Sequence, residues 1–213
     1  MSTALLAGVK VVELGQRVSA PFCGKVLAGM GAQVIKVEPP EGDDARRMGP
    51  FPGDVPHPEK SGLFLALNVN KYGVTLDLSD RRDIRRLRGL TGRADLVIAD
   101  DAWEDTAGWN FGYDSLRQGN PGLVVVSISP FGSQGPYAEY KAGDLVLAHM
   151  SGMAHTINGA VEDPDSDPPI RPGGRQVEYA VGLSAATAAM MQLYRRHRTA
   201  LGCHVEVSAF GSI

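Results

Sequence analysis

One short run, LVVVSIS from Leu123 to Ser129, limits the fold more than any other part of the chain. Successive residues of a strand point to opposite faces, and here both faces are apolar. Such a strand must be covered on both sides, which a parallel sheet flanked by helices provides. The rest of the chain supplies the other layers. Val9 to Leu14 (VKVVEL) and Ala32 to Val37 (AQVIKV) read as strands, with a helix from Pro21 to about Met30 between them. Val74 to Leu78 (VTLDL), Ala94 to Ala99 (ADLVIA) and Val205 to Ser208 read as further strands. Helical patterns fall at Asp80 to Leu90, Tyr113 to Gln118, Asp144 to Met150 and about Gln176 to Arg196. In the last of these, Val181, Ala185, Ala188, Ala189 and Gln192 mark the inward face. The alternation predicts an α/β fold: an open, mostly parallel, doubly wound (Rossmann-like) sheet with helices on both faces, residues 1–213 forming one domain. Residues 40–62, with five prolines and four glycines, read as an ordered surface loop.

Composition removes several function classes. A net charge of −3 and the lack of a long basic tract argue against nucleic-acid binding. Cys23 and Cys203 are the two cysteines, too few for a disulfide framework, and the five histidines form no ligand pattern, so no metal is expected. The N-terminal segment does not resemble a leader peptide and no run reaches membrane-spanning length, so a soluble cytoplasmic protein is expected. The first strand–helix turn reads GQRVSAPFCG rather than GxGxxG, although Glu38 ends the second strand as an acid does in dinucleotide-binding folds. Without those glycines a backbone cannot closely approach a pyrophosphate, so no redox cofactor is expected. Cys23, in the first turn of a helix, reads as a small core residue rather than a nucleophile. RRDIRRLR, Arg81 to Arg88, reads as a solvated helix face with Ile84 and Leu87 turned inward.

Glu178 is the distinctive acid. It opens the long helix of small and apolar residues, and the next acidic residue is Glu206. Two roles fit a lone acid there: a partner for the helix dipole, or a carboxylate held in a dry pocket for covalent chemistry. The loop Ile128 to Asp144 (ISPFGSQGPYAEYKAGD) leaves the central strand at its carboxyl end, where parallel sheets build ligand sites.

Several segments together resemble a known family. LAGVKVVEL, APFCGKVLAGMGAQVIKVEPPEGDDARRMGP, LNVNKYGVTLDL, NPGLVVVSISPFGSQGPYAEYKAGDLVLAHMSGM and the GCHVEVS segment occur in the order found in class III CoA-transferases. That group includes formyl-CoA transferase, carnitine CoA-transferase and the α-methylacyl-CoA racemases. The resemblance spans essentially the whole chain but matches the N-terminal half of a member. It implies transfer of CoA between carboxylic acids through an enzyme-carboxylate anhydride and thioester, with coenzyme A as substrate and neither metal nor redox cofactor. It also implies that the small domain and the C-terminal return segment lie outside this sequence. The expected partners are a second chain supplying that half, or a second copy in a homodimer.

Residue by residue, the resemblance puts Glu178 (RQVEYAVG) where the family carries its nucleophilic aspartate. It implies CoA contacts at Gln16, Arg17, Val18, Leu76, Asp100, Asp101 and Lys141, with Arg17 and Lys141 as phosphate partners. Ala99-Asp100-Asp101 replaces an E-N-F-type loop around the adenine, and the arginine expected after it is missing from EDTAGWNFGY. Two acids there would repel CoA phosphates. Ala142-Gly143-Asp144 replaces the G-H-D of the racemase branch, which disfavours racemisation. The alternative to an active transferase is a catalytically silent subunit; an unrelated nucleotide-binding domain is the third reading.

Overall fold

The computed structural model describes residues 4–100, 112–158, 163 and 165–213. Six parallel strands form one sheet: β1 (Lys10–Leu14), β2 (Gln33–Glu38), β3 (Lys71–Thr75), β4 (Leu96–Asp100), β5 (Val124–Ser129) and β6 (Cys203–Ser208). Their order is β3-β2-β1-β4-β5-β6. The sequence runs outward from β1 in one direction, then restarts at β4 on its other side. Val12 is paired with Ile35 on one flank and Val97 on the other. The direction of winding reverses between β1 and β4, and a crevice opens there at the carboxyl ends of the strands.

Two apolar layers cover the sheet. Val11, Val34, Leu96, Ile98, Val124 and Val126 face α1 (Ser19–Gly29) and the long helix, which runs Gln176–Thr199. Val12, Leu14, Val37, Val97 and Val125 face the opposite layer, which includes Leu87 and Leu116. This is the two-sided cover that LVVVSIS required. Between these segments lie α2 (Gly62–Leu67), α3 (Arg81–Thr91), α4 (Tyr113–Gly119), α5 (Asp144–Met150) and α6 (Met153–Asn158), so the long helix is α7. α8 (Ala209–Ser212) ends the chain. Asp80 caps α3 by accepting the Arg82 N–H at 2.7 Å, and Ile84 and Leu87 are buried beneath the exposed arginines, as their spacing predicted. Cys23 is buried in the core. Burial and the nearby Glu13 charge push its thiol well above the ordinary range, so the helix start does not make it a nucleophile.

α1 and α7 approach closely because Gly182 has no side chain. A Cβ there would stand 2.5 Å from the Ser19 carbonyl oxygen. Val181, Ala185 and Ala189 are buried as expected, whereas Ala188 and Gln192 are only partly so.

Three features differ from the sequence reading. The third strand is Lys71–Thr75 rather than Val74–Leu78. Leu76 and Leu78 are buried, but after the chain has left the ladder, where they pack with the second core cluster. β3 itself is an edge strand with Tyr72 exposed. α2 and α6 were not anticipated; α2 is capped by Ser61, which accepts the Phe64 N–H at 3.1 Å. Segment 40–62 is also more than a surface loop, since Asp43, Ala45 and Ser61 within it are fully buried.

That segment belongs to a network of buried charges. Lys36 Nζ lies 3.1 Å from Glu13 Oε1 and 2.7 Å from Asp43 Oδ2. Lys71 Nζ lies 2.8 Å from Glu13 Oε2 and donates to the Asn68 side chain and the Pro21 carbonyl, each at 2.8 Å. Two carboxylates and two ammoniums thus neutralise one another out of water. Burial works against the Lys36 charge, but Glu13 and Asp43 outweigh it and push its pKa up. Burial prevails at Lys71, whose pKa is lowered despite Glu13. Beside the quartet, Arg46 grips Glu38 through Nε at 2.6 Å and Nη2 at 2.9 Å, and its guanidinium lies 3.7 Å from the Phe64 ring centre.

Two predictions follow from the packing and from this second pair. Gly182→Ala should destabilise the protein by about 1–3 kcal/mol, because the added methyl forces α1 and α7 apart. Urea unfolding measures this, and an unchanged midpoint would mean that the two helices separate freely. For Glu38, burial opposes ionisation, but the hydrogen bonds from Arg46 and the Asp43 N–H prevail and hold it below its usual 4.5. The unfolded chain therefore takes up this proton first as the medium acidifies. The stabilisation is fully present above pH 4.5 and is lost as pH falls through the depressed value. The melting-temperature difference between the wild type and Arg46→Met should be constant at higher pH and shrink below about 4.5. A gap that stays constant down to pH 3 would contradict it.

Candidate active site

At the β1–β4 reversal lies a cleft of about 90 Å³. Its wall combines Gln16 to Ser19 after β1, Asp100 at the end of β4, Ile128 to Pro130 at the end of β5, Asp144 on α5 and Glu178 on α7. Five separate elements thus converge on one opening, which explains why no single segment announced it.

Glu178 is the third residue of α7 and its side chain is 14% exposed. Arg175 Nη1 lies 3.0 Å from its Oε2 and Arg17 Nη2 lies 3.9 Å from its Oε1. The Ser19 hydroxyl donates to the Glu178 backbone carbonyl at 3.0 Å and ties this turn to the start of α1. Arg175, the residue before the helix, has a left-handed backbone (φ 56), uncommon for a residue with a side chain. A carboxylate between two guanidiniums and largely shielded from water is an arrangement in which covalent acyl chemistry is feasible.

The expected CoA residues divide into groups. Gln16, Arg17 and Val18 line the Glu178 cleft, although Val18 is wholly buried. Arg17 is a half-exposed cation at the rim, its side chain 47% exposed. Asp100 lines the same cleft, but its Oδ2 accepts the Gln16 N–H at 2.6 Å, which gives the carboxylate a structural partner. Lys141 lies in an adjoining cleft of about 240 Å³ that shares Ile128, Ser129 and Pro130 with the first. Leu76 is not brought to Glu178: it is buried and borders a groove with Val12, Ile35 and Leu90. Asp101 lies outside the described residues. Glu38, the acid that ends β2, is occupied by Arg46 and the Asp43 N–H.

The sequence reading missed two groups. Asp144 lines the cleft with its carboxylate buried, and Arg171 Nε stands 3.8 Å from its Oδ2. Arg175 appears in the sequence analysis only as part of the RQVEYAVG segment, without a role. Its signal was available: it stands three residues before Glu178, the spacing at which side chains meet across a helical turn.

Comparison with known proteins identifies the architecture. The chain is 34% identical over 206 residues to the succinate–glutarate CoA-transferase of Agrobacterium fabrum, covering 95% of this chain and 50% of that protein. It is 36% identical over 208 residues to the acetyl-CoA:oxalate CoA-transferase of Acetobacter aceti, covering 95% and 50% respectively. Subunit BbsE of the succinyl-CoA:(R)-benzylsuccinate CoA-transferase of Thauera aromatica is 33% identical over 88% of this chain and 45% of its own length. The chain spans about half the length of these curated relatives. The crystal structure of a CaiB/BaiF family protein from Brucella suis superposes with a TM-score of 0.86 at 32% identity, over 99% of this chain and 55% of that one. The sequence profile of CoA-transferase family III matches residues 6–213. The order of segments, the doubly wound sheet and the profile agree: this chain belongs to CoA-transferase family III.

Proposed function

We propose that the chain binds an acyl-CoA at the β1–β4 crevice and transfers CoA between carboxylic acids, with Glu178 as the covalent nucleophile. The position of Glu178 carries this reading: it stands in the first turn of α7, in the reversal cleft, between Arg17 and Arg175. Its carboxylate would attack the thioester carbonyl, forming a mixed anhydride and releasing CoA thiolate. The thiolate then attacks the Glu178 carbonyl, freeing the donor acid and leaving a glutamyl–CoA thioester. An incoming carboxylate repeats the two steps in reverse and leaves as the new acyl-CoA. Arg17 and Arg175 are the nearby cations for the negative oxygens in these steps. The cleft is sized for the reacting acyl end, so the rest of CoA would run along Gln16 and Arg17 toward Lys141.

A second chain or a second copy of this chain would join it in the assembly. Exposed apolar residues on α7 support such a contact: Leu183, Met191 and Tyr194 are 53%, 65% and 67% exposed. The alternative, a silent subunit, draws on Arg175 engaging Glu178 Oε2 and on the extra methylene of glutamate relative to aspartate.

Incubation with an acyl-CoA, a hydroxylamine trap and peptide mapping should find the modification on Glu178 and none in Glu178→Gln. Glu178→Asp should react roughly 10²-fold more slowly, since about 1 Å of misplacement has that effect. An adduct on any other residue rejects the assignment. Calorimetry should show CoA binding at low salt that Arg17→Ala weakens by about tenfold, the scale of one charge-assisted hydrogen bond. Absence of heat at millimolar CoA would leave the silent-subunit reading standing.

A further inference from the structure

The turn that carries Arg17 to Glu178 is held at three consecutive residues by charged side chains. Lys36 Nζ donates to the Gly15 carbonyl at 2.9 Å. Asp100 Oδ2 accepts the Gln16 N–H at 2.6 Å, and Asp43 Oδ1 accepts the Arg17 N–H at 2.9 Å. The Gln16 side chain answers in the other direction, its Oε1 accepting the Asp44 N–H at 3.2 Å. Asp43 and Lys36 are themselves joined at 2.7 Å and almost wholly buried. Arg17 is one of the non-glycine residues with a left-handed backbone (φ 64), a conformation that needs surrounding contacts to hold it.

We propose that Lys36, Asp43 and Asp100 are positioning residues: they clamp the Gly15–Arg17 backbone so that the Arg17 guanidinium faces Glu178. The inference rests on the transferase reading for its kinetic consequence but not for its structural one. None of the three has to touch the substrate. Asp43 links the quartet to the cleft, since one oxygen pairs with Lys36 and the other accepts the Arg17 and Ala45 N–H groups. Asp100 serves the same turn from the neighbouring strand. Its carboxylate therefore has a use other than meeting CoA. The clamped backbone directs Arg17 toward Glu178, where its guanidinium makes the 3.9 Å approach to the carboxylate.

The test uses the natural protein with Asp43→Ala, Asp100→Ala and the corresponding asparagine variants. Amide hydrogen exchange should separate them. Asp43→Ala should speed exchange of the Arg17 N–H by about tenfold or more and Asp100→Ala that of the Gln16 N–H, with the Val12 N–H unchanged in both. The asparagines retain a carbonyl acceptor and should restore much of the protection. In the transfer assay each alanine variant should lower kcat by roughly 10²-fold and, because Arg17 also meets CoA, raise KM for acyl-CoA by no more than the roughly tenfold expected of Arg17→Ala. A uniform loss of protection across β1, or faster exchange at Arg17 with unchanged kcat, would overturn the proposal. Should Asp43→Ala fail to fold, the half-buried Asp100 and its Gln16 amide carry the same test. If the wild type neither transfers CoA nor forms an adduct at Glu178, the transferase reading fails, and the exchange pattern still decides whether the clamp exists.

Discussion

Four charged side chains, Glu13, Lys36, Asp43 and Lys71, lie nearly out of reach of water between the sheet and α1. Taking an ion from water costs several kcal/mol, so each is tolerable only while its partners are in place. That condition couples otherwise separate parts of the molecule. Glu13 belongs to β1, Lys36 to β2, Lys71 to β3 and Asp43 to the proline-rich segment. Shifting any of these would strand a charge. α1 must also present bare backbone here, since a Cβ on Gly24 would lie 1.8 Å from Glu13 Oε2. Well-packed apolar residues could fill such a space at least as stably, but they could not reach out to fix a turn.

The cleft inherits its shape from that arrangement. The change of winding between β1 and β4 opens the crevice, the clamped turn sets its floor, and the Gly182 contact draws the first turn of α7 against Ser19. A nucleophile near a helix start, with its neighbours placed by strand ends, has little freedom to drift. Arg175 adds a local constraint on Glu178 across one helical turn. The longer glutamate therefore has a partner that fixes where its carboxylate sits.

Much of the fold was legible in the chain because strand and helix periods differ. Val9–Leu14, Leu123–Ser129 and the capped Arg81–Thr91 helix announced themselves through spacing alone. The same logic misplaced β3. Leu76 and Leu78 alternate as strand residues do, and local pattern does not reveal that they are buried past the sheet edge. The pattern places Lys36 within a strand, but nothing near it in sequence discloses a buried ion; its partners are 23 residues before it and 7 residues after it. Glu178 was visible through its isolation and through family resemblance, whereas the cleft was not, because its walls are drawn from across the chain. Asp100 illustrates the limit: read by type, it was a charge hostile to CoA, whereas in the fold it accepts the Gln16 N–H.

The buried quartet has a bearing on the order of assembly. All four members lie between residues 13 and 71, three of them on strands that are neighbours in the sheet and Asp43 on the segment that follows β2. On a growing chain, their neutralisation calls for no contact with anything synthesised later. β4, by contrast, must pair with β1 across more than eighty residues, the separation of Lys10 from its partner Asp95 being 85, and Glu178 comes later still. Long-range parallel pairing is the slow part of folding for such topologies. The section of the molecule least able to tolerate being half made is thus complete in itself before the ribosome reaches the residue proposed to react.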